Sequence, residues 1–274
     1  MKPWAIAKTK NVSTQAHNQR FQPLEHNEKT LNITTVLTVG TTKIIMTTTN
    51  KIELMAPAGN FESLQAGLDN GADSVYFGVE QLNMRARATV NFTMDDLPEI
   101  ARRCEAKNVR SYLTLNTIIY DHDLSVVKTL LNKAKEANIT AVIASDQAVI
   151  AMARGIGMEV HISTQLNITN IETIRFYSLF ADTMVLSREL SLRQVKKITE
   201  QIEKEQIKGP NGKLVEIEIF GHGALCMAVS GKCYLSLHSH NSSANRGACK
   251  QNCRKKYTVI DQETGFEIEL DNEY

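Results

Sequence analysis

Residues 140–165 read TAVIASDQAVIAMARGIGMEVHISTQ. Thr140–Ala144 and Glu159–Ile162 are apolar runs of strand length, and the segment between them is long enough for a helix. Each run ends in small polar residues, Ser145-Asp146 after the first and Ser163-Thr164-Gln165 after the second. Strand, helix, strand in this order makes two parallel neighbours joined by a crossover. The unit repeats in both directions. Further strand runs lie at Ile52–Ala56, Ser74–Gly78, Val109–Leu115, Thr183–Leu186 and Val215–Phe220. Helical spacing marks Leu124, Val127, Leu130, Leu131 and Ala134, and again Leu192, Val195, Ile198 and Ile202. Ser191 with Gln194, and Thr93 with Asp96, read as capping boxes. Gly71, Asn108 and Asn138 follow helical runs where a left-handed residue is wanted.

Seven strands in βα register fit an open doubly wound sheet or a closed (β/α)8 barrel. The barrel is favoured because polar residues follow nearly every strand: Gly59-Asn60, Asn116-Thr117, Ser145-Asp146, Ser163-Thr164-Gln165, Ser187-Arg188-Glu189 and His222. In a barrel such positions converge on one mouth. The expected fold is therefore a TIM-like barrel with seven of its eight strands in the chain and a cysteine-rich loop inserted after the seventh. No apolar stretch reaches the roughly 18 residues of a membrane span; the longest, near Ala141–Ile156, is interrupted by Asp146 and Arg154.

Composition divides the chain into two parts. Residues 1–50 hold eleven threonines and no hydrophobic periodicity, and they read as a disordered or mis-annotated leader, with translation from Met46 as one explanation. Residues 51–274 form the barrel domain. The 274 residues carry a net charge of +1, but residues 221–260 hold six basic side chains and no acidic one. The same window holds Cys226, Cys233, Cys249 and Cys253, with six, fifteen and three residues between successive cysteines. Structural zinc takes C-x(2–4)-C pairs, a spacing only the last two meet. An iron–sulfur cluster accepts wider spacing, and disulfides fit a chain without a secretion signal poorly. Zinc, a cluster and unligated thiols all stay open on spacing. Cys104, within a helical stretch, reads as core. The basic residues Lys232, Arg246, Lys250, Arg254, Lys255 and Lys256 suit an anionic cluster or the phosphates of RNA.

At these residues the chain resembles peptidase family U32. The likeness is carried by Phe220-Gly-His-Gly-Ala-Leu-Cys226, by Ser230-Gly-Lys-Cys233-Tyr-Leu-Ser236, and by Asn245-Arg-Gly-Ala-Cys249-Lys-Gln-Asn-Cys253-Arg with Tyr257. Ala56-Pro-Ala-Gly-Asn60, Gly71-Ala-Asp-Ser-Val-Tyr76-Phe-Gly78 and His161-Ile-Ser-Thr-Gln165 extend it across residues 51–274. Within the family the chain looks most like the bacterial proteins that hydroxylate the wobble uridine of transfer RNA to 5-hydroxyuridine. Relatives hydroxylate a ribosomal-RNA cytidine, and others carry a collagenase-like peptidase label.

The resemblance implies a cytoplasmic enzyme acting on the tRNA anticodon loop. It implies prephenate as a small-molecule oxygen donor and co-substrate, and a 4Fe–4S iron–sulfur cluster on Cys226, Cys233, Cys249 and Cys253. Family members continue well past the equivalent of Tyr274, so the chain reads as an N-terminal fragment, and the fourth ligand is either Cys253 or a residue further on. His161, Gln165 and Arg188 are the candidate catalytic residues. The first two are placed to bond the base or the donor; Arg188, with Arg85 and Arg87, would meet the donor's carboxylates. The Gly59-Asn60 turn opens a helix whose free amides suit an anion. The sequence has neither H-E-x-x-H nor G-x-S-x-G, and a Cys226/His222 dyad is the peptidase alternative.

Overall fold

The computed structural model describes residues 6–9, 32–39, 42–49, 52–80, 82–84, 86, 92–223 and 226–270, the first three segments as backbone only. The strands are β1 (Ile6–Thr9), β2 (Asn32–Val39), β3 (Thr42–Thr49), β4 (Glu53–Ala58), β5 (Ser74–Gly78), β6 (Arg110–Leu115), β7 (Ala141–Ala144), β8 (Glu159–Ile162), β9 (Thr183–Val185), β10 (Glu216–Phe220), β11 (Tyr257–Ile260) and β12 (Glu267–Leu270). The helices are α1 (Phe61–Asp69), α2 (Leu97–Ala106), α3 (Leu124–Glu136), α4 (Gln147–Gly155), α5 (Ile171–Tyr177), α6 (Leu192–Glu205) and α7 (Leu235–His240).

Strands β4 to β10 run parallel in sequence order, joined by helices, as the alternating pattern requires. The two edges of this curved sheet, β4 and β10, would otherwise present unpaired backbone groups. β1 lies between them, antiparallel to both, and closes the barrel. The eighth position is thus taken from the N-terminal segment and not from a further βα unit. β2 and β3 form a separate antiparallel hairpin, with Met46 opposite Thr35. The rest of residues 1–50, Arg85 and Arg87 lie outside the described residues.

The main core lies between the outer face of the barrel and the helices. It includes Leu64, Val75, Phe77, Ile100, Leu113, Leu131, Val142, Val160, Ile162 and Ile202, each essentially inaccessible. Cys104 belongs to it, and burial pushes its thiol up to about 11, so it stays a protonated packing residue. Inside the barrel the filling is smaller and mixed. Met55, Tyr112, Ala141 and Ile143 pack with Tyr76 and Phe220. Toward the strand beginnings, the Tyr112 hydroxyl donates to Glu53 (2.8 Å), and Arg110 pairs with the same carboxylate.

The local signals in the sequence act as read. Gly71, Asn108 and Asn138 all adopt positive φ. Ser191 and Gln194 cap α6 reciprocally, Ser191 Oγ accepting from Gln194 N and Gln194 Oε1 accepting from Ser191 N. Ser191→Ala should therefore cost about 1 kcal/mol. In urea unfolding this appears as a lower midpoint at unchanged slope; an unmoved midpoint would show that the cap contributes nothing.

Candidate functional site

The strand ends expected to converge do so, and they are bonded to one another. Asn116, after β6, donates its amide to Ser163 Oγ (3.2 Å) and accepts from Met84 N (3.1 Å). Ser145 Oγ donates to Asn116 O (2.9 Å). Asp146 uses one carboxylate oxygen to cap α4 at Ala148 N and the other to accept from Ile119 N. These four residues are scaffold: their polar atoms tie the ends of β6, β7 and β8 into one rim.

The loop that follows β10 folds back over this rim. Asn167, in the left-handed conformation after β8, donates to Ser230 O (2.9 Å), and Arg188 donates to Ser230 Oγ (2.7 Å). Gly231, at φ +71°, lies against Gln165. Asn245 accepts from Cys233 N through its side-chain oxygen (3.1 Å) and from Ile118 N through its backbone oxygen (3.2 Å). Arg246 forks onto Asp123, at 2.5 and 3.2 Å, donates to Ile118 O (2.7 Å), and covers the Tyr120 ring at 4.7 Å. That pairing holds the Asp123 carboxyl below the usual carboxylate range.

All four cysteines of this loop are free thiols; Cys226 and Cys249 are exposed, Cys233 and Cys253 half-buried. Burial pushes the Cys253 thiol up, and Cys226, Cys249 and Cys233 add to the rise while Arg254 opposes it. Cys253 is thus within electrostatic reach of the other three sulfurs. Among the described residues, no three His, Cys, Asp or Glu side chains are gathered as a single ion requires. A tetrahedral zinc at about 2.3 Å from each sulfur holds its thiolates within roughly 4 Å of one another. A cubane binds each thiolate to a separate iron and spaces them wider. Four thiols on one loop without acids, not drawn together as a single ion requires, fit the cubane better. Gln251 N already donates to Cys249 Sγ (3.3 Å), the kind of bond that tunes a ligating sulfur.

Two cavities open beside the loop. One, about 300 Å³, is bordered by Arg188, Phe220 and His222 with Leu186, Leu190 and Val195. Arg188 lies 5.8 Å from the Phe220 ring, and its buried Nε has no partner. The other, about 170 Å³, lies between the ends of β6, β7 and β8 and includes Gln165, Gly231 and Asn245.

The candidate catalytic residues separate. Gln165 and Arg188 stand at the mouth on either side of Ser230-Gly231. His161 is fully buried, its Nε2 bonded to Glu159 Oε1 (2.9 Å) and its ring edge-on to Tyr112 at 4.5 Å. It points into the barrel interior, away from both cavities. Asn60 caps α1 by accepting from Ser63 N, and Ser63 Oγ accepts from Asn60 N and Gly59 N, so the Gly59, Asn60 and Ser63 amides are already bonded within the turn. Asp123, Asn167 and Asn245 position the loop, and sequence reasoning gave them no role. Asn245 and Arg246 stood inside the cysteine motif, which was the one signal available.

Residues 59–274 match the family described as Peptidase family U32. The chain belongs to that family. A "Collagenase" of Porphyromonas gingivalis is 58% identical over 82% of the chain and 54% of its own length. The "tRNA hydroxylation protein P1" of Bacillus subtilis is 33% identical over 77% of the chain and 48% of its own. The "23S rRNA 5-hydroxycytidine C2501 synthase" of Escherichia coli is 32% identical over 78% of the chain and 31% of its own. The likeness to the collagenase-named protein thus exceeds that to the RNA hydroxylation proteins. The chain spans about half the length of the curated relatives it matches, or less. Among the described residues no helix is long and apolar enough to cross a membrane.

Proposed function

We propose that this U32 barrel is the catalytic domain of a cytoplasmic RNA-hydroxylating enzyme. Its substrate would be the wobble uridine of transfer RNA, converted to 5-hydroxyuridine with prephenate as oxygen donor. The observation that carries the reading is the four-thiol loop bonded down onto the barrel mouth. Cys226, Cys233, Cys249 and Cys253 would hold an iron–sulfur cluster, which supplies redox or Lewis-acid chemistry when bound. Arg188 supports the donor assignment: it borders a cavity wide enough for a small dicarboxylate, its buried Nε has no partner, and a guanidinium meets a carboxylate through two parallel bonds. The Phe220 ring beneath it offers a face for the donor's ring. Basic residues 250 and 254–256 rim the loop and suit the phosphates of a single-stranded anticodon loop. His161 serves from below by fixing the barrel interior through Glu159 and Tyr112.

Protein purified without oxygen should hold about four irons and as many sulfides per chain, with broad visible absorption. Stoichiometric zinc in their place would sink the cluster. Transfer RNA from a deletion strain should lack 5-hydroxyuridine derivatives by nucleoside mass spectrometry; an unchanged level, with no paralogue present, would remove the reading. One observation favours a peptidase, the 58% identity to a collagenase-named protein. Gelatin hydrolysis abolished by Cys226→Ala would establish that alternative. Against it, no hydrogen bond joins His222 to the exposed Cys226 thiol among the described residues.

A further inference from the structure

The smaller cavity at the mouth is chemically unlike its neighbour. Among the described residues no Lys, Arg or His borders it. Its one carboxylate, Asp146, has both oxygens engaged by backbone amides, and Asn116 and Ser145 are likewise taken up by the rim. Besides the exposed Gln147, three polar side chains on its wall keep capacity in hand. Thr117 is 1% exposed and its hydroxyl has no partner. Gln165 has a buried side-chain oxygen without a partner. Asn245 spends its oxygen on Cys233 N, which leaves its NH2 group to give. Met84, Ile118 and Leu166 supply apolar surface around these groups.

A buried hydroxyl and a buried amide oxygen left without partners cost free energy unless a ligand meets them. With no cation among the described wall residues, a neutral polar ligand is the complement these groups support. What the wall offers is a hydroxyl, an amide NH2 and an amide oxygen, bordered by apolar side chains. A flat, neutral ring with alternating acceptors and donors along one edge is the complement, and uracil presents two carbonyl oxygens flanking an N–H. At about 170 Å³ the cavity has room for a single base and not for a drug-sized ligand. Gly231 keeps the space open, since a Cβ there would stand 3.2 Å from the Gln165 backbone oxygen and 3.4 Å from its side-chain oxygen.

We infer that this cavity is a pyrimidine-base pocket, in which Thr117, Gln165 and Asn245 read the edge of an unstacked RNA base beside the cysteine loop. The inference rests on the RNA-hydroxylating reading and adds to it the residues that choose the base. The Arg188 cavity across Ser230-Gly231 is left for the anionic donor, so base and donor approach the loop from opposite sides.

The test uses the full-length, cluster-loaded protein and a fluorescent anticodon stem-loop RNA at fixed salt. Three versions carry uridine, adenosine or an abasic nucleotide at the wobble position. The parent should bind the uridine version about tenfold more tightly than the other two, the loss expected when one or two buried bonds go unmade. Thr117→Val and Gln165→Met should erase that preference while binding of the abasic RNA stays unchanged. Thr117→Val removes a hydroxyl that has no partner, so its thermal midpoint should not fall, which separates pocket from fold. Equal binding of all three RNAs by the parent, or a preference that survives both substitutions, overturns the pocket alone. A parent that binds none of them overturns the pocket and the RNA reading together.

Discussion

Arg246→Ala should free the cysteine loop from the barrel without unfolding the barrel. Arg246 is the loop's charged anchor: two of its nitrogens fork onto Asp123, and one also reaches Ile118 O. The Asp123 side chain is 11% exposed and that of Arg246 25%, so the pair is shielded from the screening that makes exposed ion pairs nearly worthless. Removing the guanidinium leaves a mostly buried carboxylate with only Tyr120 N and, when charged, His122 nearby. The expected cost is roughly 2–3 kcal/mol, or about a 30- to 150-fold shift toward the undocked loop. Limited proteolysis should cut within residues 226–256 faster by that factor while the helices stay intact. Arg246→Lys should recover only part, because an ammonium cannot make the fork. Asp123 has a depressed pKa in the folded protein, so the stabilisation is present above the unfolded value, near 3.9. It is lost as pH falls through the lower folded value. The difference between parent and variant should therefore be constant from pH 5 upward and vanish in acid. Equal cleavage rates at pH 7 would remove Arg246 as the anchor.

The same pair shows where sequence reading stops. The strands were legible to within two residues, because each apolar run was bounded by polar residues that the barrel needs at its mouth. The small misses have local causes: Leu186 leaves the β9 ladder for an isolated bridge to Ile168, and Val215 precedes the ladder of β10. β1 was illegible, since a four-residue strand in a threonine-rich segment has no period to read and is defined only by the two edges it joins. His161 was found as a motif residue but not its direction. Strand β8 is buried on both faces, so nothing in the alternation says which face looks into the barrel; register with Tyr112 and Glu159 decides it. Asp123 and Arg246 lie 123 residues apart, and no local pattern links a helix-capping turn to a cysteine motif. Chemistry written in one segment, such as the four cysteines, is visible in sequence. Chemistry made by closing the barrel is not.

Gly247→Ala should be the most damaging small substitution in the loop, and a second glycine isolates the reason. Gly247 and Gly212 have nearly the same backbone, φ +79° and +74°. An alanine at either pays about 1–2 kcal/mol for left-handed geometry. At 212 a new Cβ meets nothing within 4 Å, so the cost ends there. At 247 it would stand 2.2 Å from Asn83 O and 3.1 Å from Ala86 Cβ. Asn83 cannot step back: it is 3% exposed, its carbonyl accepts from Ala86 N, and its amide already fills the space over Gly78. The loop must therefore lift, carrying Arg246 off Asp123 and Cys249, two residues on, away from its partners. We expect a total of roughly 4 kcal/mol, the backbone term plus an overpacking term of about 1–3 kcal/mol. The readout is the rate at which a thiol reagent labels Cys233 and Cys253, the half-buried pair, in metal-free protein. Gly247→Ala should raise it by two orders of magnitude or more, whereas Gly212→Ala should leave it unchanged and lower only the thermal midpoint. Matching labelling rates in the two variants would mean that the loop is not seated on Asn83, and that the contact between the β5–α2 connection and the cysteine motif does not hold the thiols in place.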